Sequence, residues 1–131
     1  MKRKVSISIF VILLCIMTYS IFFNGFFGVN SIEIQESDKL YQAGIKTTDK
    51  KEMAEITGIL NRANKLTLTK YKLAGKPKYN IHLEYRDKTK EDLHFYENFD
   101  KNTTLITSNK CSCYYKINSR NTKKIFQLLL N

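Results

Sequence analysis

The residues whose types and spacing best suit chemistry are two cysteines that stand two positions apart, Cys111 and Cys113. Outside the cytoplasm such a pair tends to be oxidised. A bond between residues i and i+2 of a strand would bend the backbone, and strained disulfides exchange readily with thiols. Two adjacent thiolates would also suit Cu(I). The pair therefore indicates a redox, disulfide or metal site, and the alternatives are an inert structural bond or two free thiols.

The only two histidines lie in neighbouring segments of alternating polarity. We expect these segments to pair as a hairpin with Leu83 opposite Leu93, because that register keeps the apolar residues on one face. His82 would then lie opposite His94 and could hold Zn²⁺ or Cu²⁺. The alternative is an ordinary solvated face, and no cofactor is predicted.

A loose concentration of lysines forms the third candidate, an anion-binding surface at Lys65, Lys70, Lys72, Lys76 and Lys78. Outside a membrane the anions would be lipid headgroups, wall polymers or an acidic protein face, so nucleic acid is not expected as a partner. The alternative is a solvated lysine-rich surface.

Signatures of catalysis are missing from the sequence. It contains no nucleophile elbow and no glycine-rich phosphate loop, and its carboxylates are scattered among lysines without a prominent acid–base pair. The sequence therefore predicts a protein that is not an enzyme, with no catalytic residues.

The composition bounds the class of protein. The chain has 131 residues, 43% of them apolar, and 22 Lys and Arg against 12 Asp and Glu give a net charge of +10. The charged fraction excludes a polytopic membrane protein, and the apolar fraction excludes a wholly disordered chain.

The apolar residues are concentrated near the N-terminus. Residues 1–4 carry three positive charges, and residues 5–29 carry none. A run of this length after a basic flank predicts a transmembrane signal-anchor, with residues 1–4 in the cytoplasm and the remainder outside. The predicted location is the cell membrane, single-pass, with an extracytoplasmic C-terminal domain. The alternatives are a cleaved signal peptide and lipidation of Cys15.

Residues 31–131 show the periodicities of a folded domain. Asp49, with Glu52 three residues later, begins a helix in capping-box spacing, and Asn118 or Ser119 caps a last helix. Alternating polarity predicts strands at 32–35, 40–45, 79–85, 92–96, 104–107 and 113–117. The predicted fold is α+β: the N-terminal transmembrane helix, then an antiparallel meander of three to five strands packed against two helices.

The stretch from Asp49 to Leu130 resembles the YhfM-like family of small extracytoplasmic bacterial domains. The resemblance rests on the order of four motifs: the turn Asn61-Arg62-Ala63-Asn64-Lys65, the strand start Pro77-Lys78-Tyr79, the strand Ile81–Tyr85, and Tyr114-Tyr115-Lys116-Ile117 before the last helix. The resemblance implies the α+β fold and the extracytoplasmic location, and it identifies no catalytic residues in this chain.

Three functions are compatible with these features. The first is a membrane-anchored, non-catalytic binding or interaction module of a bacterial cell envelope, whose partner would be a wall polymer or a membrane protein. The second is a thiol-redox or metal-handling protein that uses Cys111 and Cys113. The third is protection against antimicrobial peptides at the membrane surface.

Overall fold

The computed structural model describes residues 2–22, 24–37, 44–66, 73, 75–111 and 113–130. Within these residues it contains three helices and seven strands. Their bounds, in chain order, are α1 Lys2–Phe22, β1 Val29–Glu36, β2 Ile45–Thr47, α2 Lys50–Asn61, β3 Asn64–Leu66, β4 Tyr79–Tyr85, β5 Lys90–Asp100, β6 Thr103–Ser108, β7 Tyr114–Asn118 and α3 Ser119–Leu130.

The strands form one antiparallel sheet in the order β2-β1-β4-β5-β6-β7-β3. Strands β4 to β7 are the predicted meander, while β1 joins it beside β4 and β3 joins it beside β7. The α+β class is confirmed, but the sheet has seven strands instead of three to five. The predicted strand at 40–45 lies largely outside the described residues.

Helix α2 begins where the sequence predicts. The Asp49 carboxylate accepts the backbone N–H groups of Lys51 and Glu52, at 2.8 and 3.1 Å, which satisfies two donors that a helix N-terminus leaves without partners. Glu52 does not complete the reciprocal capping box, because its carboxylate accepts the Thr47 hydroxyl at 2.8 Å instead. The helix buries its apolar stripe, which includes Ile56 and Leu60, against the sheet.

One face of the sheet, called the inner face here, carries the core beneath α2 and α3. Its fully buried side chains include Ile81, Leu83, Leu93 and Phe95. Helix α3 adds Ile125 and Leu129 to the same core. The opposite, outer face of β4 and β5 carries polar residues in alternation, as strand geometry requires.

The β4–β5 hairpin corrects the predicted register by two residues. Leu83 lies opposite Glu91, not Leu93, so the faces are as predicted but the cross-strand partners are not. The cause is the turn: Lys88, the third of the four residues between β4 and β5, has a φ of +69°. The predicted register would put Thr89 at that position, and a β-branched residue tolerates positive φ poorly.

The predicted transmembrane signal-anchor is contradicted. A spanning helix needs roughly 20 consecutive, mostly apolar residues. In the part of the chain that the structure describes, no helix combines the length and the apolarity needed to cross a membrane. This finding also overturns the predicted single-pass location at the cell membrane with an extracytoplasmic domain.

Candidate functional site

A histidine and a carboxylate meet on the outer face of the sheet. His82 of β4 lies directly opposite Asp92 of β5, and His82 Nδ1 is 2.6 Å from Asp92 Oδ1. A carboxylate oxygen only accepts, so Nδ1 is the donor in this contact, and the tautomer with its proton on Nδ1 has its lone pair on Nε2. The side chains are 36% and 40% exposed, which leaves this dyad accessible.

The strands around the dyad hold it in place. The backbone N–H of Asp92 donates to Asn109 Oδ1 at 2.8 Å, and the N–H of Asn109 donates to the Asp92 carbonyl at 3.1 Å. On the other side of His82, the outer face of β1 contributes Glu33 and Gln35. Gln35 Oε1 is 3.4 Å from His82 Nε2, too long for a strong hydrogen bond.

The second histidine has a neutral partner. His94 Nδ1 lies 2.6 Å from Asn80 Oδ1, and these residues are also cross-strand partners on the outer face. The two histidines are therefore diagonal neighbours, each with its Nδ1 occupied, rather than the opposed pair that the predicted metal site requires. The described residues contain no group of three or more His, Cys, Asp and Glu side chains that could hold a metal ion. Metal binding at His82 and His94 stays a prediction.

The inner face holds a buried carboxylate that the sequence analysis missed. Glu91 is 4% exposed, the Tyr85 hydroxyl donates to its Oε1, and the Ser108 hydroxyl donates to its Oε2, both at 2.5 Å. The Lys110 ammonium lies 4.5 Å from the centre of the Tyr85 ring. Alternation along β5 puts Glu91 on the same face as Leu93, two residues away. This spacing is the feature of the sequence that indicates a carboxylate facing the core.

Burial, with the help of Glu91, raises the pKa of the two tyrosines of this cluster. Burial, then the hydrogen bond to Glu91, raises the pKa of Tyr85 far above its ordinary value. Burial and the charge of Glu91 raise the pKa of Tyr115 to about 12. Both phenols are therefore neutral at physiological pH, where Tyr85 acts as a donor to the carboxylate.

Cys111 and Cys113 are joined by a disulfide next to this inner cluster. They lie in the loop before β7, not within the predicted strand, and their Cα atoms are 5.3 Å apart. The Tyr115 hydroxyl is 3.3 Å from Cys113 Sγ and 3.7 Å from Cys111 Sγ. A redox role for the pair stays a prediction.

The structure divides the predicted anion-binding lysines. Lys76 and Lys78 line one hollow beside Ser37. Lys65 lies on β3, at the opposite edge of the sheet from β1 and β4. Lys70 and Lys72 lie outside the described residues. The described members of this set therefore lie on different elements, and anion binding by these lysines stays a prediction.

The family described as YhfM protein matches residues 28–131. The chain belongs to the YhfM family. This confirms the resemblance found in the sequence, over the whole of the sheet and its two covering helices. None of the curated proteins matches the chain.

A solved structure shares the fold. The crystal structure of a thioesterase-like protein from Clostridium sporogenes ATCC 15579 matches with a TM-score of 0.50 and 18% sequence identity, covering 79% of this chain and 95% of that chain. At this identity the likeness shows the fold alone.

These findings correct the predicted function. The sequence predicted a membrane-anchored, non-catalytic module that is not an enzyme, with redox handling and peptide protection as alternatives. No described helix can form the anchor. The fold is that of a protein described as thioesterase-like, and the structure brings together a His–Asp dyad that the predicted register had kept apart. The non-catalytic interpretation is therefore withdrawn.

Proposed function

We propose that the chain is a hydrolase that cleaves a thioester with water, and that His82 is its general base. The observation that carries the proposal is the 2.6 Å contact between His82 Nδ1 and Asp92 Oδ1 on an exposed face. A carboxylate that accepts the Nδ1 proton fixes the tautomer and stabilises the imidazolium that forms when Nε2 takes up a proton.

The reaction needs one base. His82 Nε2 removes a proton from a water molecule while the water oxygen attacks the thioester carbonyl carbon, and the carbonyl electron pair moves to oxygen. The tetrahedral intermediate collapses by breaking the carbon–sulfur bond, and the imidazolium returns its proton to the departing thiolate. The products are a carboxylic acid and a thiol, and Asp92 accepts the hydrogen bond from Nδ1 throughout.

The chemistry of the leaving group favours a thioester over an amide. Thiols such as that of cysteine ionise at about pH 8.5, so a thiolate can leave without a strong general acid. A site with one histidine base and no partnering acid suits that substrate class. The fold shared with a thioesterase-like protein supports the same choice.

The test is hydrolysis of a butyryl thioester of N-acetylcysteamine by the purified full chain, with the butyrate product followed by proton NMR. His82→Gln should lower the rate at least about 10²-fold, the smallest contribution typical of a general base. Asp92→Asn should lower it less, because the ring remains but its tautomer is no longer fixed by a charge.

His94→Gln is the matched control, since His94 lies on the same face and has an amide partner in place of a carboxylate. It should retain the rate within about twofold. No hydrolysis above buffer, or equal losses in the two histidine variants, would overturn the proposal.

A further inference from the structure

A groove lies on the side of the molecule where the chain enters β1. One wall is residues 24–29, called the strap here, and the other is the exposed side of α2. Its lining combines apolar side chains, among them Phe27, Val29 and Met53, with polar ones. Phe27 is 47% exposed and so offers apolar surface to the groove.

The strap is fixed, so the groove is preformed. The Asn24 side-chain amide donates to the carbonyls of Leu60 and Ala63 at 2.9 and 2.8 Å. The Asn61 side chain accepts the N–H of Phe26 at 2.7 Å and donates to its carbonyl at 3.1 Å. These bonds tie the strap to the C-terminal end of α2.

Two glycines let the strap turn without closing the groove. Gly25 and Gly28 have φ values of +85° and +71°, a region that other residues adopt at a cost. The space where a Cβ of Gly28 would stand is open. The carbonyl of Gly28 accepts the backbone N–H of Arg86 at 2.8 Å, which holds the β4 turn against the strap.

The charged side chains that line the groove are all positive. Its lining contains two cations, Lys50 of α2 and Arg86 of the β4 turn, and no carboxylate. Neither cation forms an ion pair with a carboxylate among the described residues. A guanidinium fork beside an apolar channel matches a carboxylate that carries a hydrocarbon chain.

The volume limits the size of that chain. The groove encloses about 230 Å³, less than the roughly 300 to 1,000 Å³ of sites that hold drug-sized ligands. We infer that this groove is a binding site for a free, single-chain aliphatic carboxylate of medium length, with Arg86 and Lys50 on the carboxylate and Phe27, Val29 and Met53 on the chain. The inference stands on the groove alone and does not depend on the proposed hydrolase.

The test titrates the ¹⁵N-labelled full chain with octanoate and follows backbone amide shifts by NMR. Saturable shifts should appear at residues 26–29, 50–57 and 86. Acetate, which lacks the chain, and octyltrimethylammonium, which has the opposite charge, should bind at least about tenfold more weakly.

Paired variants locate the contacts. Arg86→Gln should weaken octanoate binding about tenfold, whereas Lys88→Gln, in the same turn but outside the lining, should change it less than about twofold. Ala54→Phe replaces an exposed lining residue and should abolish binding by filling the groove, with the amide spectrum otherwise retained.

Several results would overturn the inference. They are shifts elsewhere on the domain, equal affinity for the ammonium compound, and unchanged binding in Ala54→Phe. Binding to vesicles of anionic phospholipid without binding to monomeric octanoate would also overturn it, because the site would then recognise a lipid surface rather than a free chain.

Discussion

Glu91 and Asp92 are adjacent in β5, yet their carboxylates lie on opposite faces of the sheet and in opposite environments. Glu91 is buried, with a hydroxyl donor on each oxygen, from Tyr85 and Ser108. Asp92 is 40% exposed and has the His82 ring as its side-chain partner. One step along a strand therefore separates a carboxylate that holds the core together from one that is available for chemistry.

The comparison shows what burial demands of a charged group. A buried carboxylate is retained only when hydrogen bonds replace the water that it has lost, which is the task of Tyr85 and Ser108. An exposed carboxylate keeps its water and has no such requirement. The variants below test this contrast, beginning with the largest expected effect on stability.

Leu83→Asp should unfold the domain. Leu83 is 1% exposed and lies directly opposite Glu91 on the inner face, so the new carboxylate would be buried against a like charge with no donor of its own. The cost should exceed about 4 kcal/mol, a large share of the roughly 5 to 15 kcal/mol that stabilises a domain. Circular dichroism should show no cooperative thermal transition.

Lys90→Asp is the matched control for that variant. It places a carboxylate opposite Glu84 on the outer face of the same hairpin, where both groups reach water. It should cost less than about 1 kcal/mol. A cooperative transition in Leu83→Asp close to that of the unchanged chain would refute the assignment of the inner face.

Glu91→Ala and Asp92→Ala should separate stability from activity. Removing Glu91 leaves the buried Tyr85 hydroxyl and the half-buried Ser108 hydroxyl without their acceptor, which should lower the free energy of unfolding by about 3 kcal/mol. Removing Asp92 should lower it by less than about 1 kcal/mol but abolish most of the thioester hydrolysis. Urea denaturation and the butyrate assay measure the two quantities, and equal stability losses would remove the contrast.

The sequence predicts well which residues of these strands face the core. A change of the pairing register by two residues leaves each side chain on the same face. Burial of Leu83 and Leu93 follows from the pattern of polarity alone. The cap of α2 by Asp49 is equally local, since it involves residues within one turn.

The candidate site could not be predicted because it depends on one backbone angle. The positive φ of Lys88 sets the hairpin register and thereby gives His82 the partner Asp92 instead of His94. The pairing of β1 with β4, which brings Gln35 toward His82, joins segments more than 40 residues apart. Alternation along β5 would have predicted that Glu91 faces the core. The predicted strand begins at Asp92, so Glu91 is not part of it.

Alkaline pH should weaken the inner cluster selectively. The pKa of Tyr115 is about 12 in the folded chain and 10.0 as the ordinary value, so the unfolded chain loses this proton first. The stabilisation is complete below pH 10 and is lost as the pH rises toward 12. Tyr85, whose pKa is also raised, acts in the same direction. Urea denaturation between pH 9 and 11.5 should show a decline of about 2 kcal/mol per pH unit above pH 10, roughly 1 kcal/mol from each phenol.

Tyr115→Phe should reduce that decline by about half, because the variant has no phenol to ionise at this position while Tyr85 remains. Tyr114→Phe changes the neighbouring tyrosine, which points to the outer face, and should leave the decline in place. A decline that is the same in both variants would show that the inner phenols do not cause it.

The disulfide beside the inner cluster should contribute less to stability than Glu91 does. The double variant Cys111→Ser, Cys113→Ser should lose no more than about 2 kcal/mol, because a bond between residues two apart in sequence removes little entropy from the unfolded chain. Most of the loss should come from Cys113, which is 5% exposed and packs in the core. Cys15→Ser, on α1, is the control and should change nothing.

A double-mutant cycle then asks whether the disulfide holds the cluster in place. Ser108 accepts the backbone N–H of Lys110 at 3.1 Å while it donates to Glu91, so the loop that ends in the disulfide touches the carboxylate through one serine. If Ser108 is positioned by β6 alone, the losses from Glu91→Ala and from the cysteine pair should add within about 0.5 kcal/mol. Coupling well above that value, or a cysteine variant that cannot fold, would show that the disulfide helps to keep Glu91 buried. The difference between Glu91 and Asp92 would then depend on a covalent bond as well as on two hydroxyls.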